Sequence, residues 1–234
     1  MKALQLLVRP SLAKAAFLHG VAGAVEHFEP IRHTAANTLI DVGANKGQFS
    51  LAFRYVLPEA QIIAFEPLPA AAAIAERLFR EDGKFTLHRV AIADEKGAAE
   101  FFVTDREDSS SLLRPGEGQA EAFGVRTKAS VKVNVERLDD RIAFADLPHP
   151  ILMKIDVQGA ELRVLKGCSS LELVDFVYTE LSFVDLYEGQ PTFTQVAGHL
   201  ASRGFLLAGI FNQVTTQAFG PTQADFLFKR VARP

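Results

Sequence analysis

The feature that most constrains the fold is a glycine-containing turn between a short apolar run and a helical pattern. Thr38–Val42 has the length of a buried strand, and the turn at residues 43–47 follows it directly. Apolar residues then recur at positions 49, 52, 53 and 56, which is the spacing of a helix with one buried face, and Pro58 marks its end. A strand, a tight turn and a helix in this order predict an α/β sheet with parallel strands.

The same unit recurs along the chain. Further strands are predicted at residues 61–65, 85–93, 151–155 and 176–181, and an antiparallel pair at 205–210 and 225–230 closes the sheet. Helices are predicted after the second strand, ending near residue 83, at 161–166, and from residue 192 to 204. The sequence therefore predicts a doubly wound, mostly parallel sheet of seven strands with helices on both faces and an antiparallel last strand. We assign this domain to residues 37–234.

Two regions depart from this alternation. Residues 101–104 and 131–135 have the pattern of extended segments, and residues 105–129 between them are polar with no clear period. We call residues 105–129 the insert and expect either a lid over a binding site or a solvated loop. At the N-terminus, apolar residues at helical spacing predict an amphipathic helix over residues 2–18 within a helical segment 1–36. This helix is expected to pack on its own domain or on a sister subunit, which is compatible with a homodimer.

Composition excludes several classes of protein. With 25 basic and 28 acidic side chains the net charge is −3, which is too balanced for a chain that must neutralise many phosphates, so nucleic acid is not an expected partner. Cys168 is the single cysteine, which fits a reducing cytoplasm and excludes an internal disulfide. The longest candidate for a membrane span, residues 15–25, is too short, so no membrane span is expected.

The turn after the first strand indicates a nucleoside site. Gly43 and Gly47 can adopt positive φ and let a ligand approach the main chain, while the next helix offers free N–H groups. In open parallel sheets the ligand crevice lies at the carboxyl ends of the strands. Glu66 follows Asp41 by 25 residues at the tip of the second strand, where its carboxylate can accept two hydrogen bonds from a ribose diol. The spacing therefore predicts an adenosine-ribose site.

The charge of the turn bears on which nucleoside cofactor binds. A dinucleotide needs a Gly-x-Gly-x-x-Gly turn for its pyrophosphate, and this spacing is missing here, while Asp41 would repel negative charge. S-adenosylmethionine has no phosphate and carries an ammonium and a sulfonium, which acidic or polar surroundings favour. Two alternatives stay open: an oxidoreductase that uses a nicotinamide cofactor, and a domain that binds a nucleoside without catalysis.

Several segments then match a known family together. In chain order they are LIDVGANKGQFS, IIAFEP, RVAIAD, Ser109 to Leu112, LMKIDVQGAELRVLKG and YTELSF. Over residues 37–210 the chain resembles the FkbM-type methyltransferases of the S-adenosylmethionine-dependent, Rossmann-like class. The family usually has Glu at the position of Gln158, so a charge at that position is not expected here.

The resemblance implies a Rossmann-like methyltransferase whose cofactor is S-adenosylmethionine. Members of this family methylate hydroxyls, commonly on sugars or complex natural products, so the implied partner is a hydroxyl-bearing small molecule such as a saccharide. The first turn would contact the methionine end of the cofactor, Glu66 the ribose, and the end of the third strand the adenine. The cofactor-binding residues that follow are Asp41, Val42, Gly43, Ala44, Asn45, Gly47, Glu66, Pro67, Val90, Ala91, Ser110 and Asp156.

Methyl transfer to a hydroxyl also needs a group that takes its proton. Asp156 ends the strand at 151–155, Glu161 begins the next helix and Glu180 ends the following strand, so each is a candidate base. Each also has an alternative role. Asp156 could contact only the cofactor or a loop, Glu161 could serve only as a favourable charge at a helix N-terminus, and Glu180 could form a salt bridge. The three carboxylates could also gather around Mg²⁺, which we consider less favoured, so no metal site is predicted. The six histidines are scattered without ligand spacing, and no Gly-x-Ser-x-Gly turn supports a hydrolase.

Overall fold

A seven-stranded sheet organises the chain in the computed structural model, which describes residues 9–231. A second, three-stranded sheet lies beside it. The strands of this described part of the chain are β1 (Thr38–Val42), β2 (Gln61–Phe65), β3 (Phe85–His88), β4 (Ala91–Ile92), β5 (Gly97–Thr104), β6 (Thr127–Glu136), β7 (Ile151–Ile155), β8 (Phe176–Ser182), β9 (Phe205–Thr216) and β10 (Gly220–Arg230).

The large sheet has the order β3-β2-β1-β7-β8-β10-β9. β1 pairs in parallel with both β2 and β7, so the strand order reverses at β1. β10 runs antiparallel to both of its neighbours, β8 and β9. The predicted α/β class, the doubly wound parallel sheet and the antiparallel last strand are confirmed. A ligand crevice is expected above β1 and β7, where the order reverses.

Helices cover both faces of the large sheet. One apolar core joins β1 and β7 to the C-terminal helices, and a second joins them to the N-terminal helices. The last helix begins with a capping box in which the Thr192 hydroxyl accepts from the backbone N–H of Gln195. Within residues 9–231 the α-helices are α1 (Pro10–His19), α2 (Phe28–Thr34), α3 (Gln48–Val56), α4 (Pro69–Leu78), α5 (Glu117–Phe123), α6 (Glu161–Lys166) and α7 (Phe193–Ser202).

The third predicted strand, residues 85–93, is wrong as one element. β3 ends at His88, the N–H of Val90 donates to the His88 carbonyl, and the chain turns into β4, which pairs with β6 in the second sheet. This sheet has the order β4-β6-β5 and contains both predicted extended segments. The insert also has more regular structure than its composition predicts, because α5 lies within it. The helix after β2 ends at Leu78, before the predicted stop near residue 83.

Part of the predicted N-terminal helix lies within the described residues. α1 begins at Pro10, a residue type that suits the first helical position, and the predicted residues 2–8 lie outside the described residues. Leu12 is fully buried and packs in the same core as Phe28 and Ile31 of α2 and Leu39 of β1. The described part of the N-terminal segment, residues 9–36, therefore packs directly against the large sheet and its helices. Within residues 9–231, no helix combines the length and the apolar character that a membrane crossing requires.

Candidate functional site

A cavity of about 650 Å³ opens at the carboxyl ends of β1, β2, β7 and β8. This volume lies in the range of pockets that hold small ligands. Asp41, Gly47 and Glu161 are not among the residues that line it. The other predicted site residues all line the cavity: Val42, Gly43, Ala44, Asn45, Glu66, Pro67, Val90, Ala91, Ser110, Asp156 and Glu180.

The turn after β1 has the backbone that its glycines predict. Gly43 has φ +81° and Gly47 has φ +86°. A Cβ on Gly43 would stand 1.9 Å from the carbonyl oxygen of Asp156, so this glycine lets the ends of β1 and β7 approach each other. Between the two glycines, Asn45 also has a positive φ, and its buried Oδ1 accepts no hydrogen bond from the described part of the chain. The turn thus presents an unsatisfied acceptor at the cavity.

A buried lysine lies between two carboxylates near this turn. Asp41 is fully buried, and its Oδ2 accepts a 2.7 Å hydrogen bond from Ser50. Lys154 Nζ lies 3.2 Å from Asp41 Oδ1 and 3.5 Å from Asp156 Oδ2, and donates to the carbonyl of Gly43 at 2.9 Å. Burial alone would lower the pKa of Lys154, but Asp41 and Asp156 raise it above its ordinary value. The ammonium is therefore charged, and it forms an ion pair with Asp41. Asp41 is the side chain that was expected from the sequence to repel a pyrophosphate.

The Glu66 carboxylate is held in place by backbone donors at the cavity wall. Its Oε2 accepts from the N–H of Asn45 at 2.9 Å and its Oε1 from the N–H of Leu68 at 2.8 Å. The side chain is 6% exposed, and burial raises its pKa to about 7, against the opposing effect of the two backbone hydrogen bonds. Each oxygen keeps a further lone pair, so the carboxylate can still accept two hydroxyl donors.

Two carboxylates meet in the other half of the cavity. Gln158 Nε2 donates to Asp156 Oδ1 at 2.8 Å and to Glu180 Oε2 at 3.2 Å, so one neutral amide bridges them. Burial raises the pKa of Glu180 well above its ordinary value, and the nearby charges of Asp156 and Asp225 raise it further. Glu180 therefore favours its protonated form more than an exposed glutamate does.

The third predicted base has a different environment. Glu161 lies at the start of α6, and its Oε1 accepts from the N–H of Gly159 at 2.9 Å. Burial raises the pKa of Glu161 to about 7. The carboxylate thus supports the turn that carries Gln158. Across the described residues, no group of three or more His, Cys, Asp or Glu side chains is arranged to hold a metal ion.

The insert forms one side of the cavity and is fastened to the sheet. Ser111 pairs with Phe102 of β5 through two backbone hydrogen bonds, and its hydroxyl donates to the carbonyl of Val157 at 3.0 Å. The Tyr187 hydroxyl lies 2.9 Å from the carbonyl of Ser109, 2.8 Å from Gln158 Oε1 and 2.9 Å from Gln119 Nε2 of α5. The predicted Ser110 hydroxyl accepts from the N–H of Thr104. These contacts connect the insert to the turn after β7.

Sequence reasoning missed several polar groups that line the cavity. The place of Lys154 at the site could have been predicted. Residues two apart on a strand lie on the same face, and the predicted site residue Asp156 follows Lys154 by two positions. Neither β10 nor the segment before α2 carries a motif, so no signal pointed to their contributions. The missed residues are Lys154, His27, Tyr178, Gln158 as a hydrogen-bond bridge, and Asp225.

Several known proteins that this chain resembles in sequence are methyltransferases. A family model described as the methyltransferase FkbM domain matches residues 41–207. The 2-O-methyltransferase NoeI of Sinorhizobium fredii is 34% identical over 65% of this chain and 66% of its own length. The 31-O-demethyl-FK506 methyltransferase FkbM of Streptomyces tacrolimicus is 27% identical over 72% of each chain. The hexuronic acid methyltransferase AglP of Haloferax volcanii is 28% identical over 62% of this chain and 56% of its own.

The family match covers most of the strand-and-helix units that surround the cavity. The chain spans just under two thirds of the length of NoeI and little more than half of AglP. The family match begins at Asp41 and ends within β9, so α1, α2 and β10 lie outside it.

Proposed function

The chain belongs to the FkbM family of methyltransferases, and on that premise we propose that it transfers a methyl group from S-adenosylmethionine to a hydroxyl of a saccharide or another natural product. The observation that carries the proposal is the Glu66 carboxylate, held by two backbone donors at the wall of a cavity of about 650 Å³. The names of NoeI and AglP, a 2-O-methyltransferase and a hexuronic acid methyltransferase, support a hydroxyl on a sugar as the acceptor.

The residues at one end of the cavity suit the parts of this cofactor. When bound, S-adenosylmethionine supplies an electrophilic methyl group on a sulfonium. Glu66 would accept from the two ribose hydroxyls with its remaining lone pairs. The orphaned Oδ1 of Asn45 would accept from the α-ammonium, which removes the cost of an unsatisfied buried acceptor. Val90 and Ala91, both buried and apolar, would flank the adenine.

The other end of the cavity would position the acceptor. Asp156 and Glu180 would each hold an acceptor hydroxyl, and the Gln158 amide fixes both carboxylates through its two hydrogen bonds. Fixed partners of this kind align an oxygen with the methyl carbon, and alignment supplies a large share of the rate enhancement in such reactions. Lys154 Nζ lies 3.5 Å from Asp156 Oδ2 and helps to fix the position of this carboxylate. The insert closes one side and limits the access of water.

A labelled-cofactor screen tests the proposal. Purified protein would be incubated with S-adenosylmethionine carrying a ¹³C-methyl group and a library of mono- and oligosaccharides, with mass spectrometry reporting any species that gains the label. S-adenosylhomocysteine should raise the melting temperature, and Glu66→Ala should abolish this rise. Stabilisation by NAD(H) but not by S-adenosylhomocysteine would replace the proposal with an oxidoreductase. Cofactor binding without label transfer to any acceptor would favour a non-catalytic domain.

A further inference from the structure

A histidine from outside the family-matched region lies on the wall of the same cavity. His27 ends the turn Val25–His27, immediately before α2, and its side chain is 19% exposed. Its ring packs against the rings of Phe49 and Tyr178, with centroid distances of 5.2 and 5.6 Å. Two aromatic neighbours on different elements therefore restrict the orientation of the imidazole.

Hydrogen bonds at Nδ1 determine which nitrogen of His27 carries the proton. The Tyr178 hydroxyl donates its single proton to Asp225 Oδ2 at 2.9 Å, so its oxygen accepts from His27 Nδ1, also at 2.9 Å. The same Asp225 oxygen lies 3.4 Å from Nδ1. Asn212 Nδ2 donates to Asp225 at 2.8 Å and lies 3.3 Å from Nδ1, so the Tyr178 oxygen at 2.9 Å is the closer partner of Nδ1. Nδ1 therefore carries the hydrogen, and Nε2 keeps its lone pair.

We infer that His27 is the general base that removes the proton of the acceptor hydroxyl, with Asp225 as its charge partner. The inference rests on the proposed function. As the hydroxyl oxygen forms its bond to the methyl carbon, the bond from that carbon to sulfur breaks and its electron pair stays on sulfur. The hydroxyl proton moves to Nε2, and the imidazolium later releases it to water. The products are a methyl ether and S-adenosylhomocysteine.

The surroundings of His27 suit a base better than those of the three carboxylates. Burial lowers the pKa of His27 below 6.5, against the opposing effect of Asp225, so the ring is neutral at pH 7 and can take a proton. Asp225 then stabilises the imidazolium that forms. Of the three carboxylates, Glu180 favours its protonated form because burial raises its pKa well above the ordinary value, Glu161 is not among the residues that line the cavity, and Asp156 is already paired with Lys154. The titratable or charged groups that face the imidazole are Asp225, Glu26, Lys154, Asp156 and Tyr178.

The position of the pair in the chain explains why the family motifs do not include it. His27 precedes the matched region 41–207 and Asp225 follows it. They meet because β10 inserts beside β8, which places Asp225 opposite Glu180, while the segment before α2 crosses above Phe49. The inferred base is thus supplied by parts of this chain that the motifs do not cover.

The test uses His27→Asn, because the asparagine amide can keep the donor to Tyr178 and cannot act as a base. With a saccharide acceptor found in the labelled-cofactor screen, kcat should fall at least about 100-fold while the Kd for S-adenosylhomocysteine changes less than about twofold. The acidic limb of the kcat profile, expected below pH 6.5, should disappear. In Asp225→Asn this limb should move to lower pH, because the anion that favours the imidazolium is gone. His33→Asn, at an exposed position on α2, is the matched control.

A second readout does not depend on turnover. In ¹⁵N-histidine NMR spectra of the protein without ligand, the His27 ring should show the Nδ1–H tautomer and titrate below pH 6.5. An Nε2–H tautomer would overturn the inference, and so would a His27→Asn variant that keeps its kcat and pH profile, or one that loses cofactor affinity with kcat preserved. His27→Gln serves if the asparagine variant does not fold. If the wild-type protein neither binds S-adenosylhomocysteine nor transfers label, the proposed function itself is wrong, and the role inferred for His27 is wrong with it.

Discussion

Lowering the pH from 7.5 to 5.5 is expected to weaken S-adenosylhomocysteine binding roughly 25-fold through one carboxylate. Burial raises the pKa of Glu66 to about 7 in the protein without ligand. The ionised form is the one that can accept from both ribose hydroxyls while it holds two backbone N–H groups. With this pKa, about three quarters of the molecules have an ionised Glu66 at pH 7.5 and about 3% at pH 5.5. The ratio of these fractions gives the expected loss of affinity.

The Glu66 carboxylate has the opposite effect on the free energy of unfolding, which increases as the pH falls. Because the pKa of Glu66 lies above its ordinary value of 4.5, the folded protein favours the protonated form. The corresponding stabilisation, about 3 kcal/mol, is fully present below pH 4.5 and is lost as the pH rises to about 7. Removing the charge in Glu66→Gln should therefore flatten this part of the stability profile while it weakens ligand binding.

Isothermal titration calorimetry at several pH values checks the binding prediction. The wild-type affinity should fall with decreasing pH, the Glu66→Gln variant should show a weak and nearly constant affinity, and Glu76→Gln, at an exposed ion pair, should behave like the wild type. An affinity for S-adenosylhomocysteine that stays constant from pH 7.5 to 5.5 would refute the assignment of Glu66 to the ribose. So would an unchanged pH dependence in Glu66→Gln.

Three further substitutions probe the rest of the cavity. Gly43→Ala should lower the melting temperature and abolish cofactor binding in calorimetry, because its Cβ would meet the Asp156 carbonyl oxygen at 1.9 Å. A variant with the wild-type melting temperature and affinity would contradict the close approach of the ends of β1 and β7. Lys154→Met should lower the free energy of unfolding in urea by about 3–5 kcal/mol, because it leaves Asp41 buried without its ion-pair partner. Adding Asp41→Asn should recover part of this loss, and no recovery would argue against the Lys154–Asp41 ion pair. Gln158→Glu should lower kcat at neutral pH, because it replaces the two hydrogen bonds that Nε2 donates with a further carboxylate beside Asp156 and Glu180. An unchanged pH–rate profile would show that the amide bridge is unimportant.

Most of the sheet could be predicted because its signals are local. β1 and β7 match their predicted bounds, since four of the five residues in each are apolar or strand-forming and turn signals flank both runs. The second sheet was not predicted, because β4 has only two residues and its partner β6 lies more than thirty residues later in the chain. Strand pairing over such a separation leaves no periodic signal in the sequence.

The candidate site was predictable where a motif coincides with a strand end. The turn residues and Glu66 follow from position alone, because the carboxyl ends of parallel strands share one edge. Charge pairing was not predictable in the same way. The contact of Asp41 with Lys154 depends on the register between β1 and β7, and the contact of His27 with Asp225 depends on elements about 200 residues apart. A single sequence does not encode such contacts in any spacing.

The fastening of the insert by Tyr187 has a consequence for engineering. The tyrosine hydroxyl links the Ser109 carbonyl and the Gln119 amide of the insert to Gln158 beside the acidic pair. A chimaera that receives residues 105–129 from a relative would keep this link only if the donor segment offers matching polar groups. Transplanting substrate preference between homologues would therefore require exchanging the segment together with positions 158 and 187 as one module.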